Sequence, residues 1–369
     1  MRDSRINKLA ELMVRYSLDL QPGERTIIWA DSPAAPLIQA VYEEVIKAGG
    51  FPFVYTVLPG LAESLLEYGT DEQIRFIPDQ LANMFETFDT MVYLRSLENS
   101  RFLGRANAQK VVEREKGLGK IRKIYTSRTA RGEFRWVLTL FPTNAHAQDA
   151  NMSLVDYENF VLSACLPDEN DPIGYWKNVS AYQQRIINWL DGKERIHVVG
   201  KETDLRLSIK GRKFINCDCK VNVPDGEIFT GPVETSVEGH VYFSYPAIFR
   251  GKEVLGARLW FENGKVVKAT ADKNEEYLNK MLDTDEGARY VGEFAIGTNK
   301  MIQQFTGQIL FDEKIGGSFH MAMGNGFPET GSINQSMIHW DMICDLRDGG
   351  QIWVDDELIY ENGDFVLES

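Results

Sequence analysis

The first half of the chain alternates short apolar runs, typical of strands buried on both faces, with segments of helical periodicity. Several segments end at turn signals such as Pro22-Gly23 and Gly49-Gly50. The predicted elements are a helix over 6–20, a strand over 26–30, a helix over 37–48, and strands over 51–57 and 90–94. Strand–helix–strand order implies parallel pairing through right-handed crossovers, so this half predicts an α/β domain with a mainly parallel sheet.

A change of pattern near residue 195 predicts a second domain. Residues 153–192 have mostly helical patterns, and from Arg195 onward short strands alternate with turn signals. Asn263-Gly264 lies between two apolar runs, which is a strong signal for a two-residue hairpin. We therefore expect an N-terminal α/β domain over residues 1–194 and a β-rich α+β domain over residues 195–369.

Composition and charge narrow the class of protein. The chain has 369 residues, and its formal net charge is −14. A nucleic-acid-binding role is disfavoured because binding phosphates requires a basic surface, whereas divalent cations or ligands with a free amine fit the acidity. The N-terminus lacks the apolar run of a signal peptide, and no stretch approaches the roughly 20 apolar residues of a membrane span. A cytoplasmic protein without membrane contact is expected.

The four cysteines do not form the pattern of a disulfide framework or a structural zinc site. Cys217 and Cys219 stand two residues apart, and no second close pair completes a zinc-binding set. We expect both side chains on the same face of a strand, as small buried hydrophobes.

Polar residues inside apolar strands are the strongest chemical signal. His339 and Asp341 stand two apart in an otherwise apolar segment, so a strand places both on one face. Burying these groups is costly unless a partner compensates, and the partner is either a metal ion or each other in a hydrogen-bonded pair. His320, Glu293 and Glu227 are also isolated polar residues beside glycines and apolar neighbours.

Two histidines and three carboxylates suit divalent ions such as Zn, Co or Mn. Because the set contains no cysteine, open coordination positions for water and substrate are expected. Two such ions would polarise a carbonyl group and activate a bridging water, which predicts hydrolysis. For each carboxylate taken alone, a solvated surface residue is the alternative.

Four segments together resemble the thermophilic aminopeptidase family, which includes aminopeptidases T and S. These are residues 225–232 around Glu227, residues 292–297 around Glu293, residues 310–324 with the Leu-Phe-Asp-Glu and His-x-Ala-x-Gly patterns, and residues 338–343 around His339 and Asp341. Similarity also extends through residues 142–160 and the N-terminal strand–helix–strand unit, so it spans nearly the whole chain.

The resemblance implies a ligand set and an activity. Glu227, Glu293, His320, His339 and Asp341 would hold two divalent metal ions, all from the second domain. It also implies a homodimer that removes N-terminal amino acids from peptides with a free N-terminus. Glu293 is our first choice for the group that carries a proton to the leaving amine. Candidates for binding the substrate ammonium are Asp312, Glu313 and Glu329, each of which is equally well explained as a solvated or supporting acid.

One position departs from the family pattern. Where the family carries a tyrosine, seven residues after the first metal histidine, this chain has Phe327. Without a hydroxyl, an expected stabiliser of the tetrahedral intermediate is missing, and loss of one such donor typically costs about 10²–10³ in rate.

Two other functions remain open on the same residues. His320, His339 and Asp341 could instead hold a single Fe(II) in a ring-cleaving dioxygenase, although retention of Glu227 and Glu293 favours a second metal. The chain could also be a catalytically weak, metal-binding homologue, for which Phe327 is the supporting feature. His146, His197 and His240 show no ligand-like pattern and are expected to be structural.

Overall fold

The computed structural model describes residues 3–367 of the chain. They divide into two compact units. The first contains the residues up to Tyr175 together with Cys219–Pro224, and the second contains Trp176–Asp218 and the residues from Asp225 onward. The boundary expected between residues 194 and 195 lies inside the second unit, and the division into domains at that point stays a prediction.

A five-stranded sheet, in which every pair of neighbours is parallel, forms the centre of the first unit. Its strand order is β2-β1-β3-β4-β8, with strands numbered along the whole chain. The strands are β1 (Arg25–Asp31), β2 (Phe51–Val57), β3 (Thr90–Arg95), β4 (Arg135–Leu140) and β8 (Asn222–Val223). Ile27, Ile28 and Ala30 of β1 are all fully buried, as the continuous apolar run predicts.

Helices fill the connections of the first unit. They are α1 (Ser4–Glu11), α2 (Ala35–Lys47), α3 (Leu61–Tyr68), α4 (Asp71–Arg75), α5 (Asp79–Thr87), α6 (Ala108–Ala130), α7 (Asn144–Asp149) and α8 (Leu154–Cys165). The single helix expected over 6–20 is α1 followed by a π-helical segment, Leu12–Ser17. No helix within residues 3–367 has the length and apolar character needed to cross a membrane.

Two antiparallel sheets dominate the second unit, which confirms the predicted change of pattern. The larger has the order β14-β13-β10-β6-β5-β18-β19-β20, and the smaller has the order β17-β16-β15-β9-β7. The larger sheet contains β5 (Arg195–Gly200), β6 (Thr203–Ser208), β10 (Glu238–Tyr242), β13 (Arg258–Glu262), β14 (Lys265–Thr270), β18 (Gln351–Val354), β19 (Glu357–Glu361) and β20 (Asp364–Phe365). The smaller contains β7 (Ile215–Cys217), β9 (Glu227–Thr230), β15 (Val291–Gly297), β16 (Ser318–Gly324) and β17 (His339–Asp345).

The remaining elements are short apart from one long helix. They are α9 (Pro172–Leu190), the hairpin of β11 (Ala247–Phe249) and β12 (Lys252–Val254), α10 (Glu275–Leu282) and α11 (Ile309–Asp312). Asn263-Gly264 forms the turn between β13 and β14, as predicted. The N-terminal α/β region with a parallel sheet and the β-rich C-terminal region confirm the predicted fold class.

A shared apolar core joins the two antiparallel sheets of the second unit. The smaller sheet contributes side chains such as Phe294, Met321 and Met342, and the larger contributes side chains such as Val198 and Leu259. Because successive strand residues point to opposite faces, the residues between these apolar ones are on the other face of the smaller sheet. That other face carries the candidate metal ligands.

The expectation for the cysteine pair is wrong in one respect. Strand β7 ends at Cys217, and Cys219 has a positive φ of 71° outside any strand, so the two do not share a strand face. All four cysteines are free thiols.

Candidate metal centre

The register of the smaller sheet brings the five predicted ligands to one face. Glu293 on β15 and Asp341 on β17 are both paired with Ala322 on the strand between them, β16. His320 is two residues from Ala322 on that strand, and His339 is paired with Gly324. Glu227, the first residue of β9, is paired with Gly297 of β15. The period of two along each strand therefore places all five side chains on the same side.

Small residues leave space between these side chains. Ala322 separates Glu293 from Asp341, and Ala295 is paired with His320. Glycines also permit close backbone approach, since a Cβ at Gly292 would lie 2.3 Å from the carbonyl oxygen of Asn325. This face of the sheet therefore combines small residues with buried polar side chains.

The two imidazole rings converge on the carboxylates. Nε2 of His339 lies 3.2 Å from Glu293 Oε2 and 3.5 Å from Asp341 Oδ1. Nε2 of His320 lies 3.7 Å from both Glu227 Oε2 and Glu293 Oε1, and 4.0 Å from Asp341 Oδ1. His320 is 1 % exposed, and Glu227 and Glu293 are also buried. The structure thus brings together all five residues that the sequence singled out.

A hydrogen bond fixes the orientation of the His339 ring. Its Nδ1 lies 2.7 Å from the backbone carbonyl oxygen of Asn325, a contact that requires Nδ1–H to donate. In the neutral ring, Nε2 then carries the lone pair and points at Glu293 and Asp341. Metal-binding histidines typically donate their second N–H to a carbonyl or carboxylate in this way. The Nε2 lone pair and the carboxylate oxygens are all acceptors, so a cation must lie between them, either a proton or a metal ion.

The surplus of carboxylates governs the protonation of this site. Burial opposes the charge of His320, but Glu293, Glu227 and Asp341 outweigh it and raise its pKa to about 9. Burial likewise opposes the charge of His339, and the Asp341 and Glu293 carboxylates raise its pKa to about 12. Without a metal ion, both rings therefore hold the protons that the negative charge attracts.

Unpartnered atoms show that the residues fit divalent metal ions. Oε2 of Glu227 and Oδ1 of Asp341 are buried without a hydrogen-bond partner among the described residues, and so is Nδ1 of His320. Native proteins rarely leave such groups unsatisfied. The donor set of oxygen and imidazole nitrogen is the one that Zn, Co and Mn accept.

Two overlapping groups of donor atoms lie on this face of the smaller sheet. Glu293, His339 and Asp341 form one, and Glu313, His320 and Asp341 form the other, with all atoms of each group within 4.8 Å of one another. Asp341 belongs to both groups. Glu227 belongs instead to a third group, with Cys217 and Asp225.

Sequence reasoning missed the lysine at this site. Lys314 is 1 % exposed, and its ammonium contacts Glu227, lies 2.9 Å from Glu313 Oε1 and lies 3.4 Å from Asp225 Oδ1. Burial disfavours its charge, but the surrounding carboxylates raise its pKa well above the ordinary value. No signal in the sequence separates this lysine from one at an exposed helix end.

The three candidates for binding a substrate ammonium differ in their surroundings. Only Glu313 lies beside the ligand groups. The Asp312 carboxylate accepts hydrogen bonds from the backbone N–H of Thr306 (2.7 Å) and from its hydroxyl (2.8 Å), which is a structural role. Glu329 is exposed in a short 3₁₀ turn, Pro328–Thr330.

The other three histidines are outside the metal-binding groups found among residues 3–367. Nε2 of His197 lies 2.9 Å from Asp204 Oδ1, and His240 stacks on Trp260 with ring centroids 6.4 Å apart. His146 lies beside Thr143, with Nδ1 3.2 Å from the hydroxyl oxygen.

Phe327 packs against one of the candidate metal ligands. Its ring centroid is 5.1 Å from that of His339, in a T-shaped contact, and 5.2 Å from that of Phe229. The position that the family fills with a tyrosine is therefore next to a candidate metal ligand, and here it presents only carbon and hydrogen.

Comparison with known proteins identifies the family. The model of the thermophilic metalloprotease family (M29) matches residues 2–365. The chain belongs to this family. Membership makes it a metal-dependent hydrolase of peptide bonds and confirms the resemblance noted from the four segments.

Similar proteins of known name cover almost the whole chain. Aminopeptidase T of Thermus thermophilus is 26 % identical, with 97 % of this chain and 95 % of that protein aligned. Aminopeptidase 2 of Geobacillus stearothermophilus is 25 % identical, with 94 % and 93 % aligned.

Solved structures show the same fold. Wild-type AmpT from Thermus thermophilus matches with a TM-score of 0.87, at 23 % identity and 99 % coverage of both chains. A 2,5-dihydroxypyridine dioxygenase from Pseudomonas putida KT2440 matches with a TM-score of 0.64, at 15 % identity, covering 99 % of this chain and 98 % of that one. At these identities the likeness concerns the fold alone.

Proposed function

We propose that the chain is an aminopeptidase that removes N-terminal amino acids from peptides, using two divalent metal ions held by Glu227, Glu293, His320, His339 and Asp341. The observation that carries the proposal is that two groups of donor atoms lie side by side and share Asp341, so the residues present could hold two ions. The relatives named aminopeptidase T and aminopeptidase 2 support the choice of substrate.

Glu293 and Glu313 have separate tasks in this proposal. When bound, two divalent ions polarise the scissile carbonyl and lower the pKa of water. Glu293 is held between His320 and His339, where it can accept a proton from the attacking water and deliver it to the leaving amine. Glu313, beside His320 and Asp341, adds negative charge that favours a substrate with a free ammonium.

The choice of metal, the assembly and the location belong to the same proposal. Zn, Co and Mn all accept this oxygen and nitrogen donor set. The homodimer is implied by the resemblance, and the cytoplasmic location stays a prediction. Light scattering after gel filtration measures the assembly directly.

The decisive experiment measures metal content and hydrolysis on the same protein samples. We expect about two divalent ions per chain and turnover of aminoacyl arylamides and dipeptides, with no turnover of N-acetylated analogues. Asp341→Asn should abolish metal binding and activity, because Asp341 belongs to both donor groups. Asp356→Asn is the matched control, since it makes the same change at an acid whose side chain is 91 % exposed and should leave both properties unchanged.

Two outcomes would overturn the proposal. One iron per chain, no peptidase activity and cleavage of a dihydroxypyridine would establish the ring-cleaving dioxygenase instead. Two bound ions with no turnover of any peptide substrate would establish the catalytically weak homologue.

A further inference from the structure

A buried lysine beside a metal centre is unusual because lysine is almost never fully buried unless it is paired. Lys314 follows α11 and is 1 % exposed. Its ammonium faces three carboxylates, those of Asp225, Glu227 and Glu313. Three carboxyl groups therefore share one buried ammonium.

The ammonium contacts two members of a group of potential metal-binding residues. Cys217, Asp225 and Glu227 offer a sulfur and two carboxylate oxygens within 4.8 Å of one another. A thiolate with two carboxylates is a donor set that zinc and cobalt accept. Nζ of Lys314 contacts Glu227 and lies 3.4 Å from Asp225 Oδ1, so it stands against two of the three donors.

Glu227 connects this donor group to the metal centre. Its Oε1 contacts the ammonium, while its Oε2 lies 3.7 Å from Nε2 of His320 and has no hydrogen-bond partner among residues 3–367. A Cβ at Gly226 would lie 2.9 Å from the Cβ of Asn299, so the backbone before Glu227 is also tightly confined. One oxygen is thus committed to the lysine and the other is left for a metal ion.

We propose that Lys314 is a built-in cation that occupies the Cys217–Asp225–Glu227 group, excludes a metal ion from it, and holds Glu227 toward His320. Lys314 is therefore a positioning residue, which acts on the metal centre through Glu227. The role assigned to Glu227 rests on the proposed two-metal function, whereas exclusion of an ion from the cysteine-containing group does not.

Replacing the charge with an apolar chain of similar length tests the proposal. Lys314→Met should bind about one more Co²⁺ per chain than the wild type, because three donors lose their resident cation. The additional ion should show a thiolate-to-cobalt charge-transfer absorption in the near ultraviolet. The double variant Lys314→Met/Cys217→Ser should lose that absorption, which would assign it to Cys217.

The wild type and a conservative variant supply the controls. Wild-type protein saturated with Co²⁺ should show no thiolate absorption, and Cys217→Ser should bind as much Co²⁺ as the wild type. Lys314→Arg retains the charge and should keep the wild-type ion count. Circular dichroism checks that each variant is folded.

Several results would overturn the proposal. A thiolate–cobalt absorption in the wild type would show that Lys314 does not exclude the ion, and this result does not depend on whether any variant folds. A folded Lys314→Met that binds no additional ion would do the same. Failure of the aminopeptidase proposal looks different, because it appears as absent peptide turnover in the wild type while ion count and absorption are unaffected.

Discussion

Two histidines, one in each unit, are equally buried and have opposite electrostatic surroundings. His146 on α7 and His320 on β16 are each 1 % exposed. Burial, reinforced by the positive charge of Arg95, lowers the pKa of His146 to about 4, although Asp149 opposes the shift. At His320 the carboxylates outweigh burial and raise the pKa to about 9.

The contrast teaches that burial alone does not indicate a metal site. A buried imidazole near a cation becomes neutral and serves as a hydrogen-bonding core residue, as His146 does beside Thr143. A buried imidazole among carboxylates retains a positive charge, either its own proton or a metal ion in its place. The predictions below test that difference.

The largest expected effect comes from removing the imidazole ring of His320, with removal of the His146 ring as the comparison. His320→Ala should weaken metal binding by at least about a hundredfold, since changes to residues that merely orient ligands already cost about 10–100-fold. His146→Gln should leave metal affinity unchanged and serves as the matched control. Competition with a chromophoric chelator measures both. Equal losses in the two variants would contradict the distinction between the two histidines.

The second effect concerns Phe327, whose ring contacts that of His339. Phe327→Tyr restores a hydroxyl next to that ring, and we expect kcat for aminoacyl arylamides to rise by about 10–100-fold, somewhat less than a native donor provides. KM should change little because the hydroxyl acts on the tetrahedral intermediate. Phe327→Leu controls for packing against Phe229 and should give no gain. A higher KM with unchanged kcat would remove Phe327 from the explanation of rate.

The third effect is a loss of stability in acid caused by His146. Its folded pKa, about 4, lies below the ordinary 6.5, so the unfolded chain binds the proton more readily. Stability is therefore lost as the pH falls from about 6.5 toward 4, by about 2 kcal/mol between pH 7 and pH 5. Urea unfolding of the metal-free protein measures it. His146→Gln should show a correspondingly smaller loss over the same interval, and identical losses would exclude His146 as the cause.

Much of this arrangement could be predicted from sequence because strands have a fixed period. The alternation around His339 and Asp341 predicts a shared face, and β17 has it. The order of helices and strands likewise follows from apolar runs and turn signals. That the five residues bind metal ions remains a prediction, which the distances among them support.

The features that sequence could not supply depend on tertiary contacts. Lys314 follows two acidic residues and precedes Ile315-Gly316, a pattern equally typical of an exposed helix end. Its burial results from Asp225 and Glu227, which are nearly ninety positions earlier in the chain. The end of β7 at Cys217 also depends on pairing with β9 rather than on local propensity.

The smallest effect is a count of protons, and it separates the two histidines most directly. Metal ions bind neutral imidazole, so binding at pH 7 must displace the protons that the raised pKa values of His320, about 9, and His339, about 12, retain. We expect release of about two protons per chain from these rings, and fewer above pH 9, where His320 is already neutral. Titration calorimetry in buffers of different ionisation enthalpy gives the number. His146→Gln should release as many, because His146 is neutral at pH 7 in either state. Binding without proton release would mean that the carboxylates do not hold the rings charged, and the contrast between the two buried histidines would fail.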